Sequence, residues 1–375
     1  MIQKESLDVH KYTFIAWTTK GLEHISEKEI KTIFPNAHII NVLDKRIIFS
    51  IDRLHKKLLK FRTVDDVHFL LDSHISIKEL NEKFILDNLP LGKIGETWEL
   101  VSYYRHLDDS FSLTISRYRN KSIDLKNIKT RISKKIARYL KIKYTPYNHT
   151  NFDVRVHIDS SNVFYSCRIS SKSLYDRSYR TCQKKGALKP TIAAALCMLV
   201  NPSKGEKIVD NFCGTGTILC EAKLQGLQPY GGDIDEEYVT CAQTNMKNIS
   251  YEDATNIKVL DATSTKWPNN YFDYAISNYP WGKQVHLDRI VRLYSLSISE
   301  YSRILKPEGS ITLLGIKPDL IIKHLKKNFR DHAIVKFRIG FLGQNPWVIC
   351  AYPKGKNLGV TFNDENTQGN YSSKG

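Results

Sequence analysis

The sequence lacks any apolar stretch long enough to cross a lipid bilayer. The longest clean apolar run, residues 191–200, is half the length of the roughly 20 residues that a membrane helix needs. The opening stretch MIQKESLDVH has no basic region followed by an apolar one, so we expect no secretory signal. With 375 residues, 41% hydrophobic and 25% charged, the chain is typical of a soluble globular protein of two or three domains.

The cysteines lack a pattern. There are seven, an odd number, and no two are spaced as CxxC. This disfavours a disulfide framework and a zinc site, and it favours a reducing cytoplasm. We therefore expect no metal.

Acidic residues are scarce in one segment. Residues 111–190 contain 19 lysines and arginines against four acidic residues, so this segment carries +15 of the total net charge of +17. Such a concentration of one sign predicts a polyanionic partner. A solvated basic surface without a partner is the alternative, although an ordinary surface mixes both signs.

The basic segment has a β–α–β–β pattern. Apolar residues alternate over 111–118, 154–158 and 163–169, which predicts strands. Between the first two, residues 125–140 carry an apolar stripe at three- and four-residue steps and lysines and arginines on the opposite face. We expect a basic helix packed on a small sheet. Residues 1–65 predict another small α/β unit, with an acidic helix around 22–33.

From about Pro190 onward, strand and helix patterns alternate. This alternation predicts a doubly wound α/β sheet. A turn is expected at 306–309, and the last two strands should form an antiparallel hairpin at one edge. The predicted strands are 206–210, 229–233, 257–261, 272–277, 310–316, 333–341 and 347–352.

A loop containing two glycines follows the first strand of this half. Glycine lets the backbone approach a ligand closely, and the N–H groups at the start of the next helix can bind a carboxylate or phosphate. NAD is disfavoured because Leu219 stands where the dinucleotide fingerprint has its third glycine, and a P-loop is excluded because no Gly-Lys-Ser/Thr follows. The loop residues predicted to bind a cofactor are Asp210, Phe212, Cys213, Gly214, Thr215, Gly216 and Thr217.

The next two predicted strands each end at an aspartate. Asp233 can accept hydrogen bonds from both ribose hydroxyls of an adenosine ligand, and Asp261 can accept one from an adenine amino group. With the loop, they describe a nucleoside pocket at the carboxyl edge of the sheet. We predict S-adenosylmethionine as the cofactor, with Ile234 and Ala262 in the same pocket. Simple caps and turns would explain any one of these residues, but not the ordered set.

The fourth strand of this half ends in Ser-Asn-Tyr-Pro-Trp-Gly. The side-chain oxygen of Asn278 and the backbone carbonyl of Tyr279 can accept the two hydrogens of an exocyclic amine, while Pro280 fixes the direction of that carbonyl. Trp281 offers a flat face to a base. Because an aromatic amine is a poor nucleophile, two such acceptors would favour a pyramidal nitrogen aimed at the methyl donor, and orientation would drive the transfer. We predict that these four residues are catalytic. In isolation they would indicate only a turn with a buried aromatic side chain.

These motifs resemble a known family. Residues 210–222 (DNFCGTGTILCEA) and 278–281 resemble the Rossmann-fold amino-methyltransferases. Residues 21–30 (GLEHISEKEI), the basic segment and residues 175–195 resemble the THUMP-domain RNA methyltransferases, and most nearly the tRNA guanine-N2 methyltransferases of the acceptor stem.

The resemblance implies a fold and a domain order. It implies an α/β, class I (Rossmann-like) methyltransferase domain preceded by ferredoxin-like and THUMP α+β domains, the THUMP module docking the tRNA 3′ end. Pro190 and Thr191 match a segment that borders the cofactor. The expected parts are a ferredoxin-like domain (1–65), a THUMP RNA-binding domain (66–170), a linker (171–189), the methyltransferase domain (190–354) and a flexible tail (355–375).

The sequence departs from the family pattern at the loop and at the transfer motif. Asn211 stands where proline is usual, which we expect to change the stiffness of the loop more than its contacts. Tyr279 replaces the first proline of the usual Pro-Pro, and guanine-N2 enzymes often have aspartate at the position of Asn278. The last two departures weaken the choice of guanine over adenine.

The basic segment fits an RNA substrate independently. A nucleotide in a stem must leave the duplex before its amine can be reached, so contacts with the RNA backbone must offset the unstacking. We expect tRNA as the partner of a cytoplasmic monomer, with no membrane and no obligate protein partner. The residues predicted to bind RNA are Arg117, Arg119, Lys134, Lys135, Arg138, Arg177, Arg180, Lys184 and Lys185.

Four functions are compatible with the sequence. The first is tRNA guanine-N2 methylation, and the same chemistry would serve ribosomal RNA guanine or nucleic-acid adenine-N6 methylation. Methylation of a protein glutamine amide uses a similar motif but would not need the +15 segment. The last is a non-catalytic RNA-binding protein, against which the complete set of Gly214, Gly216, Asp233, Asp261 and Asn278 argues.

Overall fold

The computed structural model describes residues 12–104, 109–146, 152–281, 287–341, 343–356 and 358. The chain divides into two compact units: residues 1–17 with 30–174, and residues 18–29 with 175–375. Within the described residues, no helix has both the length and the apolar character needed to span a bilayer. The predicted tail lies outside the described residues, except for residues 355, 356 and 358.

The first unit is built on a sheet of eight strands within the described residues. In sheet order they run β2-β3-β1-β4-β8-β7-β5-β6, and neighbours are antiparallel except that β5 pairs in parallel with both β6 and β7. The strands are β1 (Tyr12–Trp17), β2 (His38–Leu43), β3 (Arg46–Ile51), β4 (Asp66–His74), β5 (Ser110–Tyr118), β6 (Lys143–Tyr144), β7 (Asp153–Asp159) and β8 (Asn162–Arg168).

The predicted basic helix packs on this sheet. Ile128, Ile132 and Ile136 recur every four residues and are fully buried, while the Asp124 side chain caps the helix start by accepting hydrogen bonds from two backbone N–H groups. The prediction for this segment is therefore confirmed. The first four helices of the chain are α1 (Glu23–Ile33), α2 (Glu82–Asp87), α3 (Leu91–Tyr104) and α4 (Leu125–Leu140), with a 3₁₀ helix at Lys56–Lys60.

The second unit is a doubly wound α/β domain, as predicted. The described part of its sheet runs β11-β10-β9-β12-β13-β15-β14, parallel from β11 to β13 and antiparallel thereafter. Its strands are β9 (Lys207–Asp210), β10 (Gln228–Asp233), β11 (Ile257–Val259), β12 (Phe272–Asn278), β13 (Leu305–Gly315), β14 (His332–Arg338) and β15 (Trp347–Pro353). Its helices are α5 (Pro190–Leu199), α6 (Thr217–Leu224), α7 (Glu236–Lys247), α8 (Tyr251–Ala254), α9 (Leu287–Ile304) and α10 (Pro318–Asn328).

The turn predicted at 306–309 is wrong as a separate element. Strand β13 already begins at Leu305, and its pairing with β12 jumps from Phe272–Leu305 to Tyr274–Ser310. Residues 306–309 are thus a bulge within the strand, where the extra residues bend away from the ladder. The proline and glycine mark an irregularity, but the strand continues through it.

The division into two units bears on the predicted domain order. Strand β4 begins at Asp66 and pairs with β1 and β8, so strands from residues 1–65 and 66–170 share one sheet. Residues 18–29 group with the second unit, where Leu22 and Ile25 join the hydrophobic core. Gly21 there has φ +86°, and an added Cβ would lie 2.1 Å from the carbonyl oxygen of Arg338. The assignment of ferredoxin-like and THUMP domains stays a prediction.

One disulfide, Cys182–Cys241, joins residues within the second unit. The cysteine spacing gives no sign of it, because the two residues are 59 positions apart. The sequence disfavoured a disulfide framework, and this single disulfide departs from that expectation. The other five cysteines are buried and form no disulfide: Cys167, Cys197, Cys213, Cys220 and Cys350.

Candidate active site

The candidate site lies where the strand order of the second unit reverses direction. From β9 the chain proceeds outward to β10 and β11, and it then returns to β12, on the other side of β9. In open α/β sheets, ligands bind at such a switch point, in the crevice beyond the carboxyl ends of the strands. Asp210 ends β9 and Asn278 ends β12, so the loop and the transfer motif predicted from the sequence flank the switch point.

The glycine loop turns sharply between β9 and α6. Gly214 has φ +51° and Gly216 φ +76°, both in the left-handed region that favours glycine. An added Cβ on Gly216 would approach the Cβ of Ala242 to 2.9 Å, so the loop also packs directly on α7. The Cys213 N–H donates to the Gly232 carbonyl at 2.9 Å, and burial raises the pKa of the Cys213 thiol. This thiol is therefore neutral and acts as packing.

Asp233 is fixed at the end of β10 by the glycine loop. One carboxylate oxygen accepts from the Gly214 N–H at 3.0 Å, and the other accepts from the Asp235 N–H at 3.2 Å. Each oxygen has a second lone pair for an external donor such as a ribose hydroxyl. The next residue, Ile234, is 75% exposed, which is unusual for an isoleucine and leaves an apolar face beside the carboxylate.

Asp261 lies two residues beyond the end of β11, because the strand stops earlier than predicted, at Val259. One oxygen accepts from the backbone N–H and the hydroxyl of Thr263, at 2.8 and 2.7 Å. The Leu260 N–H donates to the Asp233 carbonyl at 3.0 Å, which brings the two aspartate-bearing segments together. Asp261 is exposed, whereas Ala262 is buried.

Asn278 has a rigid backbone. It pairs with Leu314 in the parallel ladder between β12 and β13, and the N–H of the next residue, Tyr279, donates to the Leu314 carbonyl at 2.9 Å. Its side chain is half-buried, and its oxygen accepts from the indole N–H of Trp281 at 3.1 Å. Only the torsions of the side chain are then left to place the amide.

A buried network joins the transfer strand to the glycine loop. The Ser277 hydroxyl donates to an Asp210 oxygen at 2.5 Å and lies 2.6 Å from the hydroxyl of Tyr301. Since a serine hydroxyl has one hydrogen, Tyr301 is the donor in the second bond. Burial raises the pKa of Asp210 to about 7, against the lowering effect of hydrogen bonds from Ser277 and the Phe212 N–H. Because Asp210 is only 1% exposed, its carboxyl group anchors the loop from inside the protein.

Asn211 makes contacts that proline could not make. Its N–H donates to the Tyr301 hydroxyl at 3.0 Å, and its side-chain oxygen accepts from the indole N–H of Trp267 at 3.1 Å. Proline has neither an N–H nor a polar side chain. Asn211 thus adds contacts beyond those that the sequence suggested, while the expected change in loop stiffness stays a prediction.

The remaining residues of the transfer motif are held by contacts with neighbouring aromatic side chains. The Tyr279 ring is fully buried against Phe212, with ring centroids 4.8 Å apart, and burial raises the pKa of its hydroxyl. The Pro280 carbonyl accepts from the Tyr294 hydroxyl at 2.9 Å. The half-buried Trp281 packs edge-on against Phe341, with centroids 5.8 Å apart. Tyr279 can thus meet a ligand only through its backbone.

The segment before α5 is tied to the rest of the second unit by buried hydrogen bonds. The Arg177 guanidinium and the Tyr179 hydroxyl both bond to one oxygen of the fully buried Glu221, at 3.0 and 2.9 Å. Lys184 forms an ion pair with Glu237. Two residues predicted to bind RNA therefore have intramolecular partners.

An asparagine links the same segment to the loop. The Asn245 amide exchanges hydrogen bonds of 2.9 Å with the backbone of Cys182 and donates another, also of 2.9 Å, to the Thr215 carbonyl. Pro190 and Thr191 begin α5 with buried side chains. The local sequence does not predict the hydrogen bonds of Asn245, because they join it to segments 30 and 63 residues away.

The basic face of α4 borders an open groove of about 350 Å³ in the first unit. Lys134 and Arg138 are exposed, whereas the Lys135 ammonium donates to the Leu86 carbonyl at 2.9 Å. Arg117 is held by the Ile123 carbonyl at 2.6 Å. The groove is lined by Lys126, Lys129, Thr130, Ser133, Lys134, Ala137 and Tyr144. Tyr144 was not predicted, because it belongs to a two-residue strand with no periodic pattern.

The remaining predicted RNA contacts are Arg119, Arg180 and Lys185. Arg119 is exposed beside the Tyr118 ring, with its guanidinium carbon 5.0 Å from the ring centroid. Arg180 is half-buried and Lys185 is exposed. The RNA contacts of all three residues stay predictions.

The parallel sheet, the glycine loop, the strand-end aspartates and the transfer motif together define a class I methyltransferase domain. Residues 177–343 match the family described as RMKL-like, methyltransferase domain. The predicted class I methyltransferase fold of this unit and its resemblance to the Rossmann-fold amino-methyltransferases are confirmed.

Known relatives are similar over part of their length. Human U6 snRNA (guanine-N(2))-methyltransferase THUMPD2 is 27% identical over 164 residues, 43% of this chain and 31% of that protein. The tRNA (guanine(6)-N2)-methyltransferase of Thermus thermophilus is 27% identical over 184 residues, 47% of this chain and 53% of that protein. The chain thus spans 31% of the human protein and 53% of the Thermus protein.

The fold extends over nearly the whole chain. The crystal structure of TrmN from Thermus thermophilus superposes with a TM-score of 0.74 at 19% identity, covering 92% of this chain and 100% of that one. At this identity the match shows that the two chains share a fold.

Proposed function

We propose that the protein is an S-adenosylmethionine-dependent methyltransferase that methylates the exocyclic N2 amine of a guanosine in tRNA, giving N2-methylguanosine. The observation that carries the proposal is the position of Asn278 at the switch point, beside a glycine loop to which its strand is bonded through Ser277 and Asp210. The methyl donor and the target amine would then meet at one rigid place.

The residues present fit an adenosyl cofactor. Each Asp233 oxygen keeps a second lone pair for a ribose hydroxyl, Ile234 exposes an apolar face beside it, and Asp261 follows two residues after the end of the next strand. Gly214 and Gly216 have positive φ, so the loop makes a tight turn whose backbone can approach a ligand closely. When bound, the cofactor supplies a methyl group activated by a sulfonium centre.

The residues of the chain itself would orient the target amine. The Asn278 side-chain oxygen and the Tyr279 carbonyl would accept the two hydrogens of the target amine, which directs the nitrogen lone pair toward the donor. The Trp281 ring would lie against the base. No strong base is needed, because the nitrogen loses its extra proton to water after transfer.

The choice of guanine N2 over adenine N6 follows the names of the relatives. Both curated relatives described above are named as guanine-N2 methyltransferases, one of tRNA and one of U6 snRNA. We choose tRNA because the likeness to the Thermus protein covers more of both chains. The acceptor stem is the proposed location of the target.

The first unit would hold the RNA. Its basic segment, with the lysines that line the α4 groove, would neutralise phosphates, and we propose that this unit contains the THUMP module. Arg177 and Lys184 would instead hold their own segment in place. We further propose a monomer acting in the cytoplasm.

The test is to identify the methylated nucleoside. Purified protein, tRNA from a strain without the gene and isotope-labelled S-adenosylmethionine are incubated, and the RNA is digested for nucleoside mass spectrometry. We expect labelled N2-methylguanosine. Labelled N6-methyladenosine, or label only in ribosomal RNA supplied in parallel, would replace the proposed substrate. No label in any RNA, despite cofactor binding, would overturn the proposed activity.

A further inference from the structure

Trp281 has two chemically separate parts in this site, the ring face and the indole N–H. The N–H donates to the Asn278 oxygen at 3.1 Å, across three residues of chain. The ring edge packs on Phe341 and on the core of the second unit. The N–H is therefore held at a fixed position rather than free to follow the amide.

The orientation of the Asn278 amide decides whether it can accept from an amine. A side-chain amide has one accepting oxygen and one donating NH2 group, and a half turn exchanges them. The target amine offers hydrogens, so the oxygen must face it. Among the described contacts of Asn278, the indole N–H of Trp281 is the one that distinguishes the two orientations.

We infer that Trp281 is a positioning residue that holds the Asn278 amide with its oxygen in the accepting position, through its indole N–H and separately from any stacking by its ring. An indole N–H can only donate, so it pairs with the oxygen and would oppose the NH2 group. The amide oxygen keeps a second lone pair for the substrate. This inference rests on the proposed function, because it concerns the same acceptor.

The test separates the two parts of Trp281. Trp281→Phe keeps a flat ring but removes the N–H, and Trp281→Leu removes both. We expect Trp281→Phe to lower kcat about 10- to 100-fold, the scale of a misplaced reacting group, with the KM for RNA and the affinity for S-adenosylmethionine changed less than about twofold. Trp281→Leu should also raise the KM for RNA. An unchanged kcat in Trp281→Phe would overturn the inference.

A double-mutant cycle provides the control. Asn278→Asp replaces the amide with two equivalent accepting oxygens, so orientation no longer matters. In that background Trp281→Phe should cause no further loss of kcat. An equal loss in both backgrounds would show that the N–H acts elsewhere and would overturn the inference.

A measurement without RNA tests the hydrogen bond itself. The indole N–H resonance of Trp281, assigned by its loss in Trp281→Phe, should shift upfield in Asn278→Ala, whereas it should stay unchanged in the control Asn248→Ala. An unmoved resonance in Asn278→Ala would refute the bond even if the protein methylated no RNA. If the bond is present but wild-type protein methylates nothing, the proposed function has failed instead.

Discussion

Ser277 donates a hydrogen bond of 2.5 Å to Asp210, across 67 residues of sequence. The bond joins the last buried residue of the transfer strand to the first residue of the glycine loop. Tyr301 closes the network from α9 by contacting Ser277 and the Asn211 N–H. A substitution at Ser277 should therefore affect the glycine loop as well as the transfer motif.

Ser277→Ala tests this connection. It leaves the buried Asp210 with one donor fewer, so we expect the free energy of unfolding to fall by about 1–3 kcal/mol. We also expect weaker binding of S-adenosylmethionine and a kcat lowered about 10-fold or more, because the loop loses its link to the transfer strand. Urea denaturation, calorimetry and methyl-transfer kinetics measure the three effects.

Ser297→Ala is the matched control. It removes another buried serine hydroxyl, which bonds to the Tyr279 hydroxyl at 2.9 Å, without touching the loop. A similar loss of stability with normal cofactor affinity is expected. If both variants lower cofactor affinity equally, the special role of the bond between Ser277 and Asp210 is contradicted.

The pKa of Asp210 predicts a pH-dependent stability. Burial raises this pKa from the ordinary 3.8 to about 7, so the folded protein holds a proton that the unfolded chain releases. The resulting stabilisation is complete below pH 3.8 and is lost as the pH rises through about 7. Asp210→Asn should flatten the fall in unfolding free energy between about pH 4 and pH 7. Identical slopes in variant and wild type would contradict the raised pKa.

Asp233→Asn should weaken cofactor binding. The substitution removes the charge that accepts from the Gly214 N–H and, as proposed, from the ribose hydroxyls. Hydrogen bonds to a charged group contribute about 1.5–3 kcal/mol, so calorimetry should show a Kd raised about 10- to 100-fold. Glu236→Gln, an equal loss of charge on a nearby exposed residue, should leave the Kd unchanged. Equal effects of the two variants would indicate general electrostatics rather than a ribose contact.

The α4 groove should contribute to the salt dependence of RNA binding. Replacing Lys126, Lys129 and Lys134 with alanine removes up to three phosphate contacts, so the slope of log K against log salt should become shallower by about 2–3. The control replaces the exposed Lys323, Lys326 and Lys327 of α10 and removes the same charge from the second unit. An identical slope in both triple variants would exclude the groove as an RNA contact.

The local pattern of apolar residues predicts the main strands and helices of this fold well. Alternating apolar residues locate β5, β7 and β8, and the spacing of the isoleucines on α4 predicts which face is buried. These features depend only on near neighbours in sequence. The bulge at 306–309 was missed because it depends on the register with β12.

The site was predicted in outline but not in its contacts. Since parallel strands end at one edge of the sheet, the sequence predicts that Asp233 and Asn278 lie at that edge, as they do. The bond between Ser277 and Asp210, and the ion pair that binds Arg177 to Glu221, join distant segments. No short-range pattern distinguishes Arg177 from a lysine or arginine that faces RNA.

The central claim is that the end of β12 is the place of methyl transfer, and Asn278→Ala tests it most directly. The measurement is a single-turnover transfer of labelled methyl to tRNA, made alongside calorimetric titration of S-adenosylmethionine on the same variant. The account predicts a transfer rate lowered by about 100-fold or more, with cofactor affinity within about twofold of wild type. A variant that binds the cofactor and transfers the methyl group at the wild-type rate would contradict it.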